Sequence, residues 1–209
     1  MQITIFGAAG HVGMRTVNQA IAQGHTVVAV IHSQNPFGTS GERLIVKTAD
    51  IYDRVAVAAA IEGSDAVISC LGSWHTKGKN VLSKAMASII PAMESQGVSR
   101  IVTLTGAAAS DIDDPHTFGQ RLAHTMFGIL AKKVLTDGEE HIRLLRLSTL
   151  TWTVVRAPVM NNVGSDGYKL KMALPSLLRT IKRDAVAVAL VDQLQSDAFV
   201  SKAPCIYRA

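Results

Sequence analysis

The sequence predicts a doubly wound α/β fold, in which a mainly parallel sheet carries helices on both faces. Short runs rich in Val, Ile and Thr alternate with longer segments of helical periodicity, and this alternation is typical of βαβ units. Most connections between the runs hold about a dozen residues or more, enough for a helix that returns the chain to a parallel neighbour. With 48% hydrophobic and 18% charged residues, the chain can fill a core on both sides of such a sheet.

The elements follow in order along a single predicted domain, residues 1–209. Glycines at 24, 63 and 97 stand where predicted helices end, and Asp184 is the predicted N-cap of the last helix. Periodicity is lost at about 107–118 and 158–175, where long loops are expected to shape a substrate pocket. The predicted strands are 3–6, 26–31, 44–47, 66–69, 101–104 and 151–155, and the predicted helices are 11–23, 54–61, 79–96, 118–147 in one or two pieces, and 185–195.

Charge and composition exclude several classes of function. The net charge of +5 suits an anionic ligand, but the basic residues are scattered, so nucleic acid is not an expected partner. No apolar run is long enough to span a membrane, and the N-terminus does not resemble a secretory signal, so a cytoplasmic protein is expected. Cys70 and Cys205 are too few for a disulfide framework or a zinc site, and no metal is expected.

A glycine-rich turn carries the strongest functional signal. Gly7, Gly10 and Gly13 stand directly after the first predicted strand and open the first predicted helix. In this context the glycines permit a tight turn, close approach of a pyrophosphate and close packing of helix on strand, as in a Rossmann-type dinucleotide site. Phosphates would bind at the helix N-terminus. The alternative is a turn with a purely structural role. The predicted cofactor-binding residues here are Gly7, Ala9, Gly10, His11, Val12 and Gly13.

The end of the second strand bears on the choice of cofactor. NAD-selective sites place an acid there to bind the ribose 2′-hydroxyl, whereas NADP sites accommodate a phosphate. Here the strand leads into His32 and Ser33 without a carboxylate, which favours NADP(H) while leaving NAD(H) possible. Ser33 can donate to a phosphate, His32 can carry charge, and Arg15 is a candidate clamp.

Five segments together resemble the atypical short-chain dehydrogenase/reductase superfamily, in particular its small NAD(P)H-binding members of the NmrA-like and biliverdin reductase B or flavin reductase-like type. The segments are 3–13 (ITIFGAAGHVG), 49–50 (AD), 65–72 (DAVISCLG), 99–105 (SRIVTLT) and 148–158 (STLTWTVVRAP).

The resemblance implies positions for the cofactor. Asp50 and Ile51 would lie beside the adenine, and Leu71, Gly72 and Ser73 would follow the ribose and pyrophosphate. Thr105 and Gly106 would face the nicotinamide, and the segment 157–160, which includes Pro158, would close over it. Simpler interpretations stay open: Asp50 as a loop cap, Gly72 as a turn residue and Thr105 as a satisfied strand end.

The catalytic residues are not identified by the sequence. Classical members of the superfamily use a Tyr-x-x-x-Lys pair, and none of the three tyrosines starts that motif. Thr105, His124 and Lys133 are the candidates. The leading hypothesis is an NADPH-dependent reductase of a flavin, quinone or similar small acceptor, since such hydride transfer can take its proton from solvent. The alternatives are a non-catalytic NAD(P) sensor of NmrA-like type and, more distantly, a sugar-nucleotide epimerase or dehydratase relative. A monomer or homodimer is expected.

Overall fold

A computed structural model describes residues 1–73, 76, 78–115, 124–125, 128–129, 131–165, 167–173 and 179–209. Ten strands and five α-helices are defined in this part of the chain. The strands are β1 Gln2–Phe6, β2 Thr26–Ile31, β3 Leu44–Thr48, β4 Ala66–Ser69, β5 Arg100–Gly106, β6 Thr151–Ala157, β7 Val159–Asn161, β8 Tyr168–Lys171, β9 Thr180–Lys182 and β10 Cys205–Arg208. The helices are α1 His11–Ala22, α2 Arg54–Ile61, α3 Val81–Ser95, α4 Lys132–Leu147 and α5 Arg183–Asp192, which continues into a 3₁₀ turn Gln193–Gln195.

The main sheet has eight strands in the order β3-β2-β1-β4-β5-β6-β10-β8. All neighbours are parallel except β8, which runs antiparallel to β10. The chain order reverses between β1 and β4. In open sheets of this kind, ligands bind outside the carboxyl ends of the strands at such a reversal.

Helices cover both faces of the sheet, as the composition predicts. Val102 and Leu104 of β5 belong to the core shared with α1 and α5, whereas Ile101 belongs to the core shared with α2, α3 and α4. Successive residues of a strand point to opposite faces, so this alternation shows that β5 is buried from both sides. The doubly wound α/β fold is confirmed.

Two details of the sequence prediction are wrong. The last helix begins at Arg183 with Lys182 as its N-cap, so Asp184 lies in the first turn, where its carboxylate pairs with Arg15 at 3.2 Å. The predicted loop 158–175 contains strands β7 and β8, which pair with the distant strands β9 and β10. Local periodicity could not show these pairings because both strands are short. Residues 116–118 of the other predicted loop, and parts of the predicted helix before residue 131, lie outside the described residues.

Among the described residues, no helix has the length and apolar character needed to cross a bilayer. The same residues contain no cluster of His, Cys, Asp and Glu arranged to hold a metal ion.

Candidate functional site

The glycine-rich turn is closed by backbone contacts that exclude side chains. Gly7 has a φ of +72°, and a Cβ there would lie 3.0 Å from the backbone of Cys70 and Leu71. A Cβ on Gly13 would lie 2.0 Å from the carbonyl oxygen of Gly7, far inside van der Waals contact. Gly13 therefore allows the first turn of α1 to pack directly on the strand-to-helix turn.

The N-terminus of α1 is open to a ligand. Gly10 is the N-cap, and no side chain caps the helix. His11 is exposed, whereas Val12 and Gly13 are buried against the core. The first N–H groups of a helix have no partner within the helix, and together with the helix dipole they favour an anion. The turn can therefore hold a phosphate group through backbone donors.

A cleft of about 130 Å³ adjoins this turn. It lies where β1, β2 and β4 end, on the β1-to-β3 side of the reversal in strand order. Its walls are largely apolar, which suits a purine base. The lining residues are Phe6, Gly7, Ala9, Gly10, Val30, Ile31, His32, Ala49, Ile51 and Leu71. Six of the predicted cofactor residues meet in this one cleft, namely Gly7, Ala9, Gly10, His32, Ile51 and Leu71.

Three other predicted cofactor residues, Ser33, Asp50 and Gly72, are neighbours of lining residues in the sequence but do not line the cleft themselves. Ser33 is exposed beside the lining residue His32. The carboxylate of Asp50 accepts a hydrogen bond from the Tyr52 backbone N–H at 2.9 Å, as in an ordinary Asx turn. Gly72 is exposed, with no heavy atom within 4 Å of a built Cβ.

Arg15 does not have the position expected of a phosphate clamp. Its guanidinium donates to the His11 carbonyl oxygen at 2.7 Å, to Asp184 at 3.2 Å and to Asn162 at 3.4 Å. These bonds tie α1 to α5 and to the segment after β7, and Arg15 does not line the cleft.

Asp137 of α4, which the sequence analysis missed, organises the segment that follows β4. Its buried carboxylate accepts hydrogen bonds from the backbone N–H groups of Leu82 and Ser83, both at 2.9 Å, and from the hydroxyl of Ser83. The Ser73 hydroxyl also donates to it. The N-cap Asn80 makes no side-chain capping bond, so Asp137 caps α3 from a neighbouring helix. It thereby fixes Ser73 within the predicted pyrophosphate-binding segment.

Thr105, the residue before the last of β5, lies against Gly138 of α4. A Cβ on Gly138 would lie 2.7 Å from the Thr105 hydroxyl oxygen and 2.9 Å from the Ala109 Cβ. Thr105 is 6% exposed. A side chain at position 138 would therefore clash with Thr105 and Ala109, so glycine allows α4 to pack directly on the end of β5.

The other two catalytic candidates, His124 and Lys133, are much more exposed to solvent than Thr105. Nε2 of His124 is 2.8 Å from a carboxylate oxygen of Glu139, and the His124 side chain is 45% exposed. Lys133 is exposed on α4. The predicted nicotinamide residue Pro158 lines a second pocket, at the carboxyl ends of β6 and β10.

The environments of Tyr168 and Tyr207 do not suit a catalytic proton donor. The Tyr168 hydroxyl donates to Asp192 at 2.8 Å, and burial together with this carboxylate raises its pKa well above the ordinary value. Burial also raises the pKa of Tyr207, whose hydroxyl donates to the Ala173 carbonyl oxygen at 2.7 Å. Tyr52 is 53% exposed. A catalytic tyrosine needs a lowered pKa, so the environments of Tyr168 and Tyr207 are the opposite of what that role requires.

The first part of the predicted loop 107–118 is held by ion pairs. Arg156 of β6 is fully buried; it donates to Asp114 at 2.6 Å and to the Ala109 carbonyl oxygen at 2.8 Å. Arg146 binds Asp111 at 2.8 Å and Asp113 at 2.7 Å. The loop is therefore anchored on the sheet and on α4 next to the end of β5.

The fold and the glycine turn define a Rossmann-type dinucleotide-binding protein. Residues 7–197 match the model of the NAD(P)H-binding family, and the chain belongs to this family.

Known proteins show the same architecture at low sequence identity. The structure matches a short-chain dehydrogenase/reductase from Veillonella parvula in complex with NADP, with a TM-score of 0.79, 20% identity, and coverage of 98% of this chain and 93% of that one. It also matches the anaerobilin reductase ChuY from Escherichia coli O157:H7, with a TM-score of 0.77, 21% identity, and coverage of 100% and 97%.

A relative in sequence is an uncharacterised Mycobacterium tuberculosis protein. The two chains are 32% identical over 105 residues, which is 49% of this chain and 12% of the relative. The chain thus spans about an eighth of the length of that relative.

Proposed function

We propose that this protein is an NADPH-dependent reductase of a flavin, a quinone or a similar small acceptor. The observation that carries the cofactor assignment is the cleft beside the glycine turn. It combines an uncapped helix N-terminus with apolar walls, and a Cβ at Gly13 would fill the turn. These features fit the pyrophosphate and the adenine of a dinucleotide. The structural neighbour from Veillonella parvula was solved in complex with NADP, which supports a dinucleotide as the ligand.

The preference for NADPH is argued from the end of β2. His32 lines the cleft and Ser33 is exposed next to it, so an imidazole and a hydroxyl are available to a 2′-phosphate. The residues from 32 to 35 are His, Ser, Gln and Asn. Without a carboxylate at this point, nothing repels the phosphate of NADPH or binds the ribose hydroxyl of NADH in the usual manner.

The reductase assignment rests on the residues at the end of β5 and on the environments of the tyrosines. When bound, NADPH supplies a hydride. Thr105 and Gly106 shape the floor on which the nicotinamide half would lie, because a dinucleotide crosses the reversal in strand order toward β5. The pKa values of the Tyr168 and Tyr207 hydroxyls are raised, which does not suit either of them to the role of proton donor. Acceptors that take their proton from water suit such a site. The anaerobilin reductase activity of a structural neighbour is consistent with this class of chemistry.

The proposal is tested in two steps, on the apo protein and then with acceptors. Fluorescence titration with NADPH and NADH measures cofactor preference, and NADPH oxidation is then followed with FMN, riboflavin and quinones. We expect tighter binding of NADPH and acceptor-dependent oxidation. Equal or tighter binding of NADH would contradict the NADPH preference, and tight binding without oxidation by any acceptor would favour the sensor function.

A pair of variants sharpens the cofactor test. His32→Asp places a carboxylate beside the expected 2′-phosphate, and we expect it to weaken NADPH binding about tenfold or more while sparing NADH. His32→Asn is the uncharged control of similar size. If His32→Asp and His32→Asn change the affinities for NADPH and for NADH by the same factor, the 2′-phosphate does not lie at the end of β2.

A further inference from the structure

A second pocket opens at the carboxyl ends of β6 and β10. Its volume is about 240 Å³, and it is separate from the cleft beside the glycine turn, with which it shares no lining residue. Pro158 is the one residue between β6 and β7, and Thr180 begins β9. The lining residues are Pro158, Arg179, Thr180, Ile206, Tyr207 and Arg208.

Two exposed arginines, Arg179 and Arg208, line this pocket. Within the described part of the chain, the ion pairs include neither Arg179 nor Arg208. The guanidinium carbon of Arg208 lies 3.4 Å from the Cβ position of Gly164, which has a φ of +121°, so the loop passes closely over this side chain. A third cation, Lys171, lies with Nζ 5.8 Å from the centre of the Tyr207 ring.

The acids on the neighbouring elements are already engaged. Asp184 of α5 binds Arg15 and lies 3.7 Å from Lys182. Asp192 accepts hydrogen bonds from Tyr168 and Gln23, and Asp114 binds the buried Arg156. The positive charge of the pocket is therefore not balanced by these carboxylates. Guanidinium groups recognise carboxylates and phosphates through paired hydrogen bonds.

The pocket lies on the acceptor side of the molecule. Cys205 of β10 is in register with Arg156 of β6, which is in register with Thr105 of β5. Two strand spacings, or about 10 Å, thus separate the end of β5 from the pocket. A flat acceptor above the end of β5 could extend an arm of that length to the two arginines.

The remaining walls explain how such an arm would be held. Pro158, Ile206 and the Tyr207 ring provide apolar surface, and the two arginines provide charge at the polar side. The volume is below the range of about 300–1,000 Å³ of complete ligand sites, so the pocket suits one part of a larger molecule.

We propose that this pocket is a subsite for an anionic arm, a phosphate or a carboxylate, of the acceptor molecule. Arg179 and Arg208 bind the anion, and Pro158 with Tyr207 packs against the chain that carries it. The inference rests on the proposed reductase function for the identity of the ligand as an acceptor, but the anion binding itself does not depend on turnover.

The subsite is tested with pairs of probes whose members differ by one covalently attached anionic group. FMN and riboflavin differ by a phosphate, and anthraquinone-2-carboxylate and anthraquinone differ by a carboxylate. Binding of each probe to the NADP⁺-loaded protein is measured at equilibrium, without any reaction. We expect the anionic member of at least one pair to bind about tenfold or more tightly, and the pair that shows the preference distinguishes a phosphate from a carboxylate.

Substitutions then assign the preference to the two arginines. Arg179→Gln and Arg208→Gln should each remove most of the preference, with NADPH binding unchanged as evidence of an intact fold. Arg143→Gln is the matched control, since Arg143 is an exposed arginine of α4 whose one ion pair among the described residues is with Glu140, three residues away, and such pairs contribute little to stability. This control should keep the full preference.

The outcomes separate this proposal from the proposed function. An arginine-dependent preference in binding, with no oxidation of NADPH, would retain the anion subsite and reject the reductase. NADPH oxidation by neutral and anionic acceptors that bind with equal affinity, unaffected by Arg179→Gln and Arg208→Gln, would retain the reductase and reject the subsite.

Discussion

His141 should make the stability of this protein fall at mildly acidic pH. Its imidazole is fully buried on α4, and among the described residues neither ring nitrogen has a hydrogen-bond partner. Burial lowers its pKa from 6.5 to about 4, against a smaller opposing effect of the Asp137 carboxylate. The folded protein therefore keeps His141 neutral at a pH where the unfolded chain would protonate it.

The sign and size of the effect follow from proton linkage. Between pH 6.5 and 4 the unfolded state binds a proton that the folded state does not, so the free energy of unfolding decreases as the pH falls through this window. With these two pKa values, moving from about pH 7.5 to about pH 5 costs about 2 kcal/mol. Below the folded-state pKa the loss would reach about 3.4 kcal/mol, at about 1.36 kcal/mol per pKa unit.

The assay is urea unfolding of the apo protein at both pH values, for the wild type and His141→Leu. Leucine has a similar volume and no ionisable group, so the variant should stay within about 1.5 kcal/mol of the wild type at neutral pH. It should lose about 2 kcal/mol less on acidification. His32→Asn, which removes an exposed histidine, should keep the wild-type pH dependence. An unchanged pH dependence in His141→Leu would refute the reasoning.

Three further substitutions probe the packing of the site. Gly13→Ala should abolish NADPH binding and lower the melting temperature, because its Cβ would lie 2.0 Å from the Gly7 carbonyl oxygen. Asp137→Asn should lower the free energy of unfolding in urea by about 3 kcal/mol. The amide NH₂ group would replace one buried acceptor oxygen and would face N–H groups that also donate. Arg156→Met should cost about 3–5 kcal/mol in the same measurement by leaving Asp114 unpaired.

Each of these predictions has a matched control. Gly41→Ala should change neither binding nor melting, because nothing lies within 4 Å of a built Cβ. Asp113→Asn removes a carboxylate that is 51% exposed and should cost less than about 1 kcal/mol. Adding Asp114→Leu to Arg156→Met should recover part of the lost stability. Normal NADPH affinity in Gly13→Ala, or a cost for Asp137→Asn as small as that for Asp113→Asn, would contradict the packing described above.

The roles of the residues held by tertiary contacts were not visible in the sequence. Asp137 and Gly138 look like ordinary polar and small residues of a helix, yet one caps α3 and the other lies against Thr105. Arg156 was part of a segment that carried the family resemblance, but its burial under the loop before residue 115 was not predicted. Each role depends on a partner at least 33 residues away in the chain, and local periodicity contains no information on such a partner.

The sequence by itself determined the alternation of strands and helices, the parallel sheet and the glycine turn. These depend on hydrophobic periodicity and on the conformational freedom of Gly7 and Gly13, which are properties of neighbouring residues. Only the tertiary structure decided the pairing of β7 with β9 and of β8 with β10, the pocket that contains Arg179 and Arg208, and the neutral state of His141. These arise from long-range packing, which sets the distances between charges and removes water from buried groups.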